Sequence, residues 1–148
     1  MGAASSMPRM HEGSITIRIR TDLQELERLN RVVRQFGELH EIPGRALYAM
    51  NLAIDELVTN ALVYGYDDPK DREIVVRLDV SPNSLQARVT DDGREFDPRT
   101  APVPKLDTNL EERQLGGLGI HLVRSLMDRL DYAREDGKNV LTVSKRIR

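Results

Sequence analysis

The chain has 148 residues, 22 basic against 24 acidic side chains for a net charge of -2, and no cysteine. That length suits one domain burying about 70% of its unfolded surface, and the balanced charge gives no electrostatic case for nucleic acid or an anionic membrane as partner. Without cysteine there is no disulfide, thiol nucleophile or cysteine-held zinc, and no apolar run approaches the ~20 residues of a membrane span or forms a secretory leader, so the expected setting is the cytoplasm.

Residues 1–13 are small, polar and unpatterned, and are expected to be a disordered or cloning-derived start without function. From Ser14 to Arg20, Ile15, Ile17 and Ile19 alternate with polar residues, the period of a strand with one buried face and an outer face suited to a sheet edge. Thr21 or Asp22 is placed to cap a helix whose apolar stripe is Leu23, Leu26, Leu29, Val33 and Phe36, running to about His40. Pro43 and Gly44 break it, and a second helix is expected from about Pro43 to Tyr66. This helix is apolar nearly all round, so it should be buried on most sides.

Ile74, Val76, Leu78 and Val80 alternate with more polar neighbours, and Leu85, Ala87 and Val89 repeat the pattern after a turn at Pro82 and Asn83: an antiparallel hairpin. Asp91, Asp92 and Gly93 end it, and about 94–115 is a proline-rich, charged stretch without period, long enough to be a lid. Gly116, Gly117 and Gly119 then open a helix with Ile120, Leu122, Val123, Leu126, Met127 and Leu130 as its stripe. Asp131 to Glu135 and Asn139 to Ile147 make a closing hairpin around Asp136 and Gly137. Strands joined by hairpins, with the helices grouped separately, predict a two-layer α/β (α+β) sandwich: a mixed, mostly antiparallel sheet with helices on one face.

Three places carry chemistry. Glu56 and Asn60 stand four apart, so a carboxylate and a carboxamide emerge on one face of an apolar helix. Burying them costs several kcal/mol unless water, a metal ion or a ligand phosphate partners them; a solvated polar stripe is the plainer alternative. Asp91 and Gly93 follow a strand. Gly117 and Gly119 at a helix start let backbone N–H groups approach an anion, although a tight turn would use glycine equally well. Neither the dinucleotide fingerprint nor the Walker A ending is present.

In order and spacing these three places resemble the N, G1 and G2 boxes of the histidine-kinase-like (GHKL) ATPase superfamily, which includes gyrase and the histidine kinases. The resemblance spans nearly everything from Ser14 to Arg148. The runs DELVTNALVYGY and GGLGIHLVRSLMDRLDY are most similar to bacterial anti-sigma-factor serine kinases. It implies a Bergerat-type fold over residues 14–148, binding of ATP and Mg2+, and a dual role: holding a sigma factor and phosphorylating a serine on an anti-anti-sigma (STAS-domain) partner. By the same resemblance Asn60 ligates Mg2+, and Glu56 is the catalytic base. Asp91 accepts from the adenine amino group, Gly93 leaves room for the ring, and Gly117, Leu118 and Gly119 offer N–H groups to the phosphates. Asp55 is the rival acid, but five residues from Asn60 it lies about 140° round the helix. A homodimer formed through the first strand and helix is implied as well.

The chain departs from the pattern at Tyr64, where several such kinases have His, and in the GREFDP segment, which lacks a Gly-x-Gly continuation. Asn139 lies near the position where a small hydroxyl residue often supports the adenine-binding Asp. A complete sensor histidine kinase is not expected. The competing functional reading is a non-catalytic module in which ATP tunes affinity for a sigma factor or another regulator.

Overall fold

The structure, a computed structural model, describes residues 12–66, 72–100 and 117–147. The expected start (1–13), all but its last two residues, and the greater part of the expected lid lie outside these.

Five strands, β1 (Gly13–Arg20), β2 (Glu73–Val80), β3 (Ser84–Asp91), β4 (Arg129–Glu135) and β5 (Lys138–Arg146), form one sheet in the order β1-β2-β3-β5-β4. The four pairings among the described residues are all antiparallel, in keeping with the mostly antiparallel sheet expected, and no parallel pairing is found among them. The two hairpins explain much of this, since short connections can only return the chain alongside itself. Three helices among the described residues, α1 (Glu25–Leu39), α2 (Gly44–Tyr64) and α3 (Gly117–Leu126), make the second layer.

The register puts Ile17, Val76, Val89 and Leu141 in one row across four strands, and Leu78, Ala87 and Val143 in the next. These residues are buried. On the opposite face, Arg77 and Arg88 pair across β2 and β3 and are exposed, while Val75, Thr90 and Thr142 are half-buried. Leu29, Val33 and Phe36 of α1, Met50, Ile54, Leu57 and Val58 of α2, and Ile120 and Val123 of α3 close the core from the helix side.

Local signals fix the ends. At the start of α1, Asp22 Oδ1 accepts from the Gln24 amide at 2.9 Å and Glu25 Oε1 from the Arg20 amide at 3.1 Å, so acidic groups serve the first turn although no side chain caps it at the N-cap residue itself. Leu23, expected on the buried stripe, precedes the helix and is 60% exposed. Helix α2 stops at Tyr64, two residues short of expectation. It is also less enclosed than its composition suggests, with Val63 and Tyr48 exposed. Helix α3 ends at Leu126, where the Lys145 ammonium donates to the Leu126 carbonyl at 2.8 Å and the Asp128 amide turns to Ser144 O at 2.9 Å. Leu130, read as part of the helical stripe, therefore lies on β4, opposite Val143.

Candidate functional site

Glu56, Asn60 and Tyr64 recur every fourth residue and so share one face of α2. Asn60 is buried and its Nδ2 has no hydrogen-bond partner. The hydroxyl of Tyr64 is likewise enclosed and unpartnered. Glu56 is half-buried, and its carboxylate lies so close to Gly119 that a Cβ at Gly119 would run into it. Glycine at 119 is thus required by close approach, and it brings the first turn of α3 against the acid. Asp55, one residue away, is turned elsewhere: Asn30 of α1 bonds it, and burial pushes its carboxyl up to about 6 despite that bond, with the charge of Glu56 adding to the rise.

The second part of the site is built at the junction of β3 and β5. Asp91 ends β3 and is buried; its Oδ1 accepts from the Gly93 amide at 2.9 Å and from Asn139 Nδ2 at 3.1 Å. Asn139 faces it directly across the pairing. The same carboxamide donates to Arg94 O at 2.7 Å and accepts at Oδ1 from the Tyr132 hydroxyl at 2.6 Å and the Phe96 amide at 3.3 Å. One side chain therefore ties β3, β4, β5 and the segment after β3 together. Both of these bonds to Asp91 fall on Oδ1, which leaves Oδ2 as the oxygen for an outside donor. Burial raises the Asp91 carboxyl, opposed first by the Asn139 bond and then by the Gly93 amide.

Gly93 is the second glycine that geometry demands, because a Cβ there would stand 2.6 Å from the Gly65 carbonyl oxygen. That contact brings the chain after Asp91 against the end of α2, where the Arg94 amide donates to Gly65 O at 2.8 Å. Arg134 of β4 donates to the Gly93 carbonyl at 2.9 Å. Beyond it, the expected lid begins with a short 3-10 turn at Pro98–Thr100, held to α3 by Arg124 donating to Pro98 O at 2.9 Å.

Between these parts lies a cleft of about 340 Å³, counted out to solvent. Asn60, Tyr64, Asp91, Phe96 and Asn139 contribute to its walls, with Leu57, Ala61, Ile120 and Leu141 as the apolar remainder. The rings of Tyr64 and Phe96 stack with centroids 6.4 Å apart. An apolar slot with a few placed polar groups is the usual form of a small-molecule site.

Of the expected residues, Asn60 and Asp91 thus line one cleft, while Glu56 stands against Gly119 one turn before Asn60 and Gly93 packs against Gly65 beside Asp91. Gly117 opens α3 and Leu118 follows it, but their surroundings lie outside what is described. Sequence reasoning gave no role to Phe96, Tyr132 or Arg134. Only the β4–β5 register, with Arg134 opposite Asn139, could have brought the last two to the site.

A family model described as the histidine kinase-like ATPase domain matches residues 19–145. The chain belongs to this family. Its similar proteins include a serine/threonine-protein kinase, BtrW, of Bordetella bronchiseptica, 30% identical over 101 residues covering 68% of this chain and 71% of that one. Another is the serine-protein kinase RsbW of Listeria innocua, 28% identical over 65% of this chain and 64% of the relative. An anti-sigma F factor of a Thermoanaerobacter species is 32% identical over 60% of this chain and 62% of its own. Among solved structures, the RsbU and RsbW domains of a Mycobacterium tuberculosis protein match with a TM-score of 0.67 over 91% of this chain and 32% of that one. At 16% identity that match speaks for the fold. A histidine kinase-like ATPase domain binds ATP.

Proposed function

We propose that this chain is an ATP-dependent protein-serine kinase and anti-sigma factor of the cytoplasm, forming a single ATPase domain over residues 14–148, which phosphorylates a serine on a STAS-domain anti-anti-sigma partner and so governs release of a sigma factor. The observation that carries the reading is the face of α2 shared by a half-buried Glu56 and a buried Asn60 whose Nδ2 has no partner, with Asn60 lining a cleft whose wall also holds Asp91. The names of the relatives, serine kinases and an anti-sigma factor, support the same reading.

The residues fit ATP and Mg2+. The Asn60 carboxamide would offer its oxygen to a hard cation, which takes few protein ligands and keeps waters. Bound Mg2+ would neutralise phosphate charge. Asp91 would accept from an adenine amino group, and Gly93 would leave room for the ring. The N–H groups of Gly117, Leu118 and Gly119 at the start of α3 would face the phosphates. Glu56, against that same turn, would take the proton from the attacking serine hydroxyl. The segment from 94 to 115 would close over the nucleotide and exclude water.

Calorimetric titration of ATP with Mg2+ into the wild type and Asn60→Ala tests this. Binding by the wild type, weakened about tenfold or more in the variant, is expected, since a buried group that meets charge is worth roughly 1.5–3 kcal/mol. A well-folded wild type that binds no ATP would overturn the reading. ATP-dependent partner binding without phosphate transfer to a verified STAS-domain protein would leave a binding module instead of a kinase.

A further inference from the structure

Two carboxylates stand side by side where β3 ends, and they meet opposite surroundings: Asp91 is buried in the cleft wall and Asp92 is exposed. Although open to water, Asp92 is engaged on both oxygens. Oδ1 accepts from the Tyr66 hydroxyl at 3.0 Å and Oδ2 from Arg72 Nη1 at 3.3 Å. The two donors flank the connection between α2 and β2, and the Arg72 guanidinium also lies over the Tyr66 ring, 5.5 Å from its centroid. Asp79, Asp97 and Asp131 each pair with an arginine two residues away, whereas Asp92 draws its partners from 20 and 26 residues off.

Both donors are themselves held. Arg72 is pinned at its backbone, where its amide donates to Thr21 Oγ1 at 3.1 Å and its carbonyl accepts from the Thr21 amide at 3.0 Å. Burial and the bond to Asp92 push the Tyr66 phenol up, so it keeps its proton and stays a donor. An ion pair whose side chains are 33% and 40% exposed adds little to stability. It can still orient. Side chains along extended chain alternate in direction, so holding Asp92 outward holds Asp91 inward. Gly65, next to Tyr66, accepts from the Arg94 amide, so the end of α2 grips the chain on both sides of Gly93.

Resting on the reading of Asp91 as the acceptor for adenine, we propose that Tyr66 and Arg72 are positioning residues for base selection: acting through Asp92, they hold the end of β3 so that Asp91 meets the amino group of the base. Recognition by one hydrogen bond depends steeply on geometry, and supporting residues keep the acceptor within about 0.5 Å of its place. Hypoxanthine carries a carbonyl where adenine carries that amino group, and a carbonyl cannot donate to a carboxylate. The ratio of affinities for ADP and IDP therefore reads how well Asp91 is placed.

Tyr66→Phe keeps the ring under Arg72 and removes one donor to Asp92; Arg72→Gln removes the other. Calorimetry with Mg2+ gives the affinities of wild type and variants for ADP and IDP. Each variant is expected to bind ADP roughly five- to tenfold more weakly, with IDP affinity within about twofold of wild type, so the ADP-to-IDP ratio falls. In an Asp92→Ala background neither substitution should lower the ratio further, because both act through that carboxylate. An unchanged ratio, whether both affinities drop in parallel or neither does, would leave these contacts a purely structural role and overturn the proposal. A further fall in the Asp92→Ala background would overturn the route through Asp92. A wild type that binds ADP and IDP equally would strike first at Asp91 as base acceptor, and the positioning role would fall with it. Circular dichroism on the same samples shows which variants are folded, and Tyr66→Phe, the loss of one oxygen, carries the test alone if Arg72→Gln is not.

Discussion

Asp55 and Glu56 are adjacent in sequence but meet opposite surroundings. Asp55 is held against Asn30 of α1, where its own Oδ1 and the side-chain oxygens of Asn30 and Asn51 are enclosed without partners. Burial is the main reason its carboxyl is lifted from 3.8 to about 6. A folded-state value above the unfolded one means that the folded protein binds the extra proton, so Asp55 supports folding fully below about pH 4 and loses that contribution as pH rises through about 6. Asp55→Asn, which never ionises, should flatten that part of the stability profile. It should also stabilise the protein at pH 7.5 by on the order of 1 kcal/mol, a figure reduced for solvent screening of a half-exposed group. Urea denaturation at pH 4.5 and 7.5 measures it, and a variant less stable than wild type at both would contradict the account. Glu56, pressed against Gly119, calls for a different experiment. Glu56→Gln preserves shape while removing the proton acceptor, so phosphate transfer to a STAS-domain serine should fall at least about a hundredfold while ATP affinity stays within roughly twofold. Labelled partner appearing at the wild-type rate would remove Glu56 from the role of base.

Elements hold this site through one strand junction more than through any helix. Asn139, at the second residue of β5, bonds Asp91, Arg94, Phe96 and Tyr132. Replacing it by Leu strands several buried polar groups at once, for which about 2–4 kcal/mol of stability should be lost in urea denaturation. Tyr132→Phe removes one of those bonds and should cost only about 1 kcal/mol. Similar losses for the two variants would show that the network is not centred on Asn139. This junction also marks where sequence reading stopped. Alternation at Ile15, Ile17 and Ile19, and at Ile74 through Val80, revealed the strands, because burial on one face of a pleat leaves a period of two. The spacing of Glu56 and Asn60 revealed the face that lines the cleft. What could not be read was which strand residues oppose each other. Tyr132 reaches Asn139 only through the β4–β5 register, and Leu130 mimicked a helical position because its spacing from Leu126 and Met127 suits a helix as well as it suits the strand that forms.

At the scale of the whole molecule, the sheet is open, with β1 and β4 at its edges. The three helices among the described residues lie on one face, and at β1 the first turns of α1 reach the backbone, with Glu25 accepting from the Arg20 amide and Arg28 donating to the Arg18 carbonyl, while Gly13 to Ile17 have no such bond from α1 among those described. An edge strand of eight residues with unpaired backbone groups is a template for another strand, and proteins usually either blunt such an edge or use it. Arg18 and Arg20 point outward here, but Arg18 is engaged with Glu73 on the neighbouring strand at 2.9 Å, which tempers its charge at the edge. Just past β1 stands Leu23, an apolar side chain with 60% of its surface in water. An isologous pair of chains meeting at β1 and the start of α1 would cover both features twice over by a single two-fold axis. The protein should therefore sediment with twice its monomer mass at micromolar concentration, and Leu23→Glu should weaken that association about tenfold by placing a charge where apolar surface is buried. Nucleotide affinity should be unchanged in that variant, because Leu23 lies outside the cleft. A wild type that sediments as a monomer throughout the micromolar range would show that this edge is left solvated, and that each domain works alone.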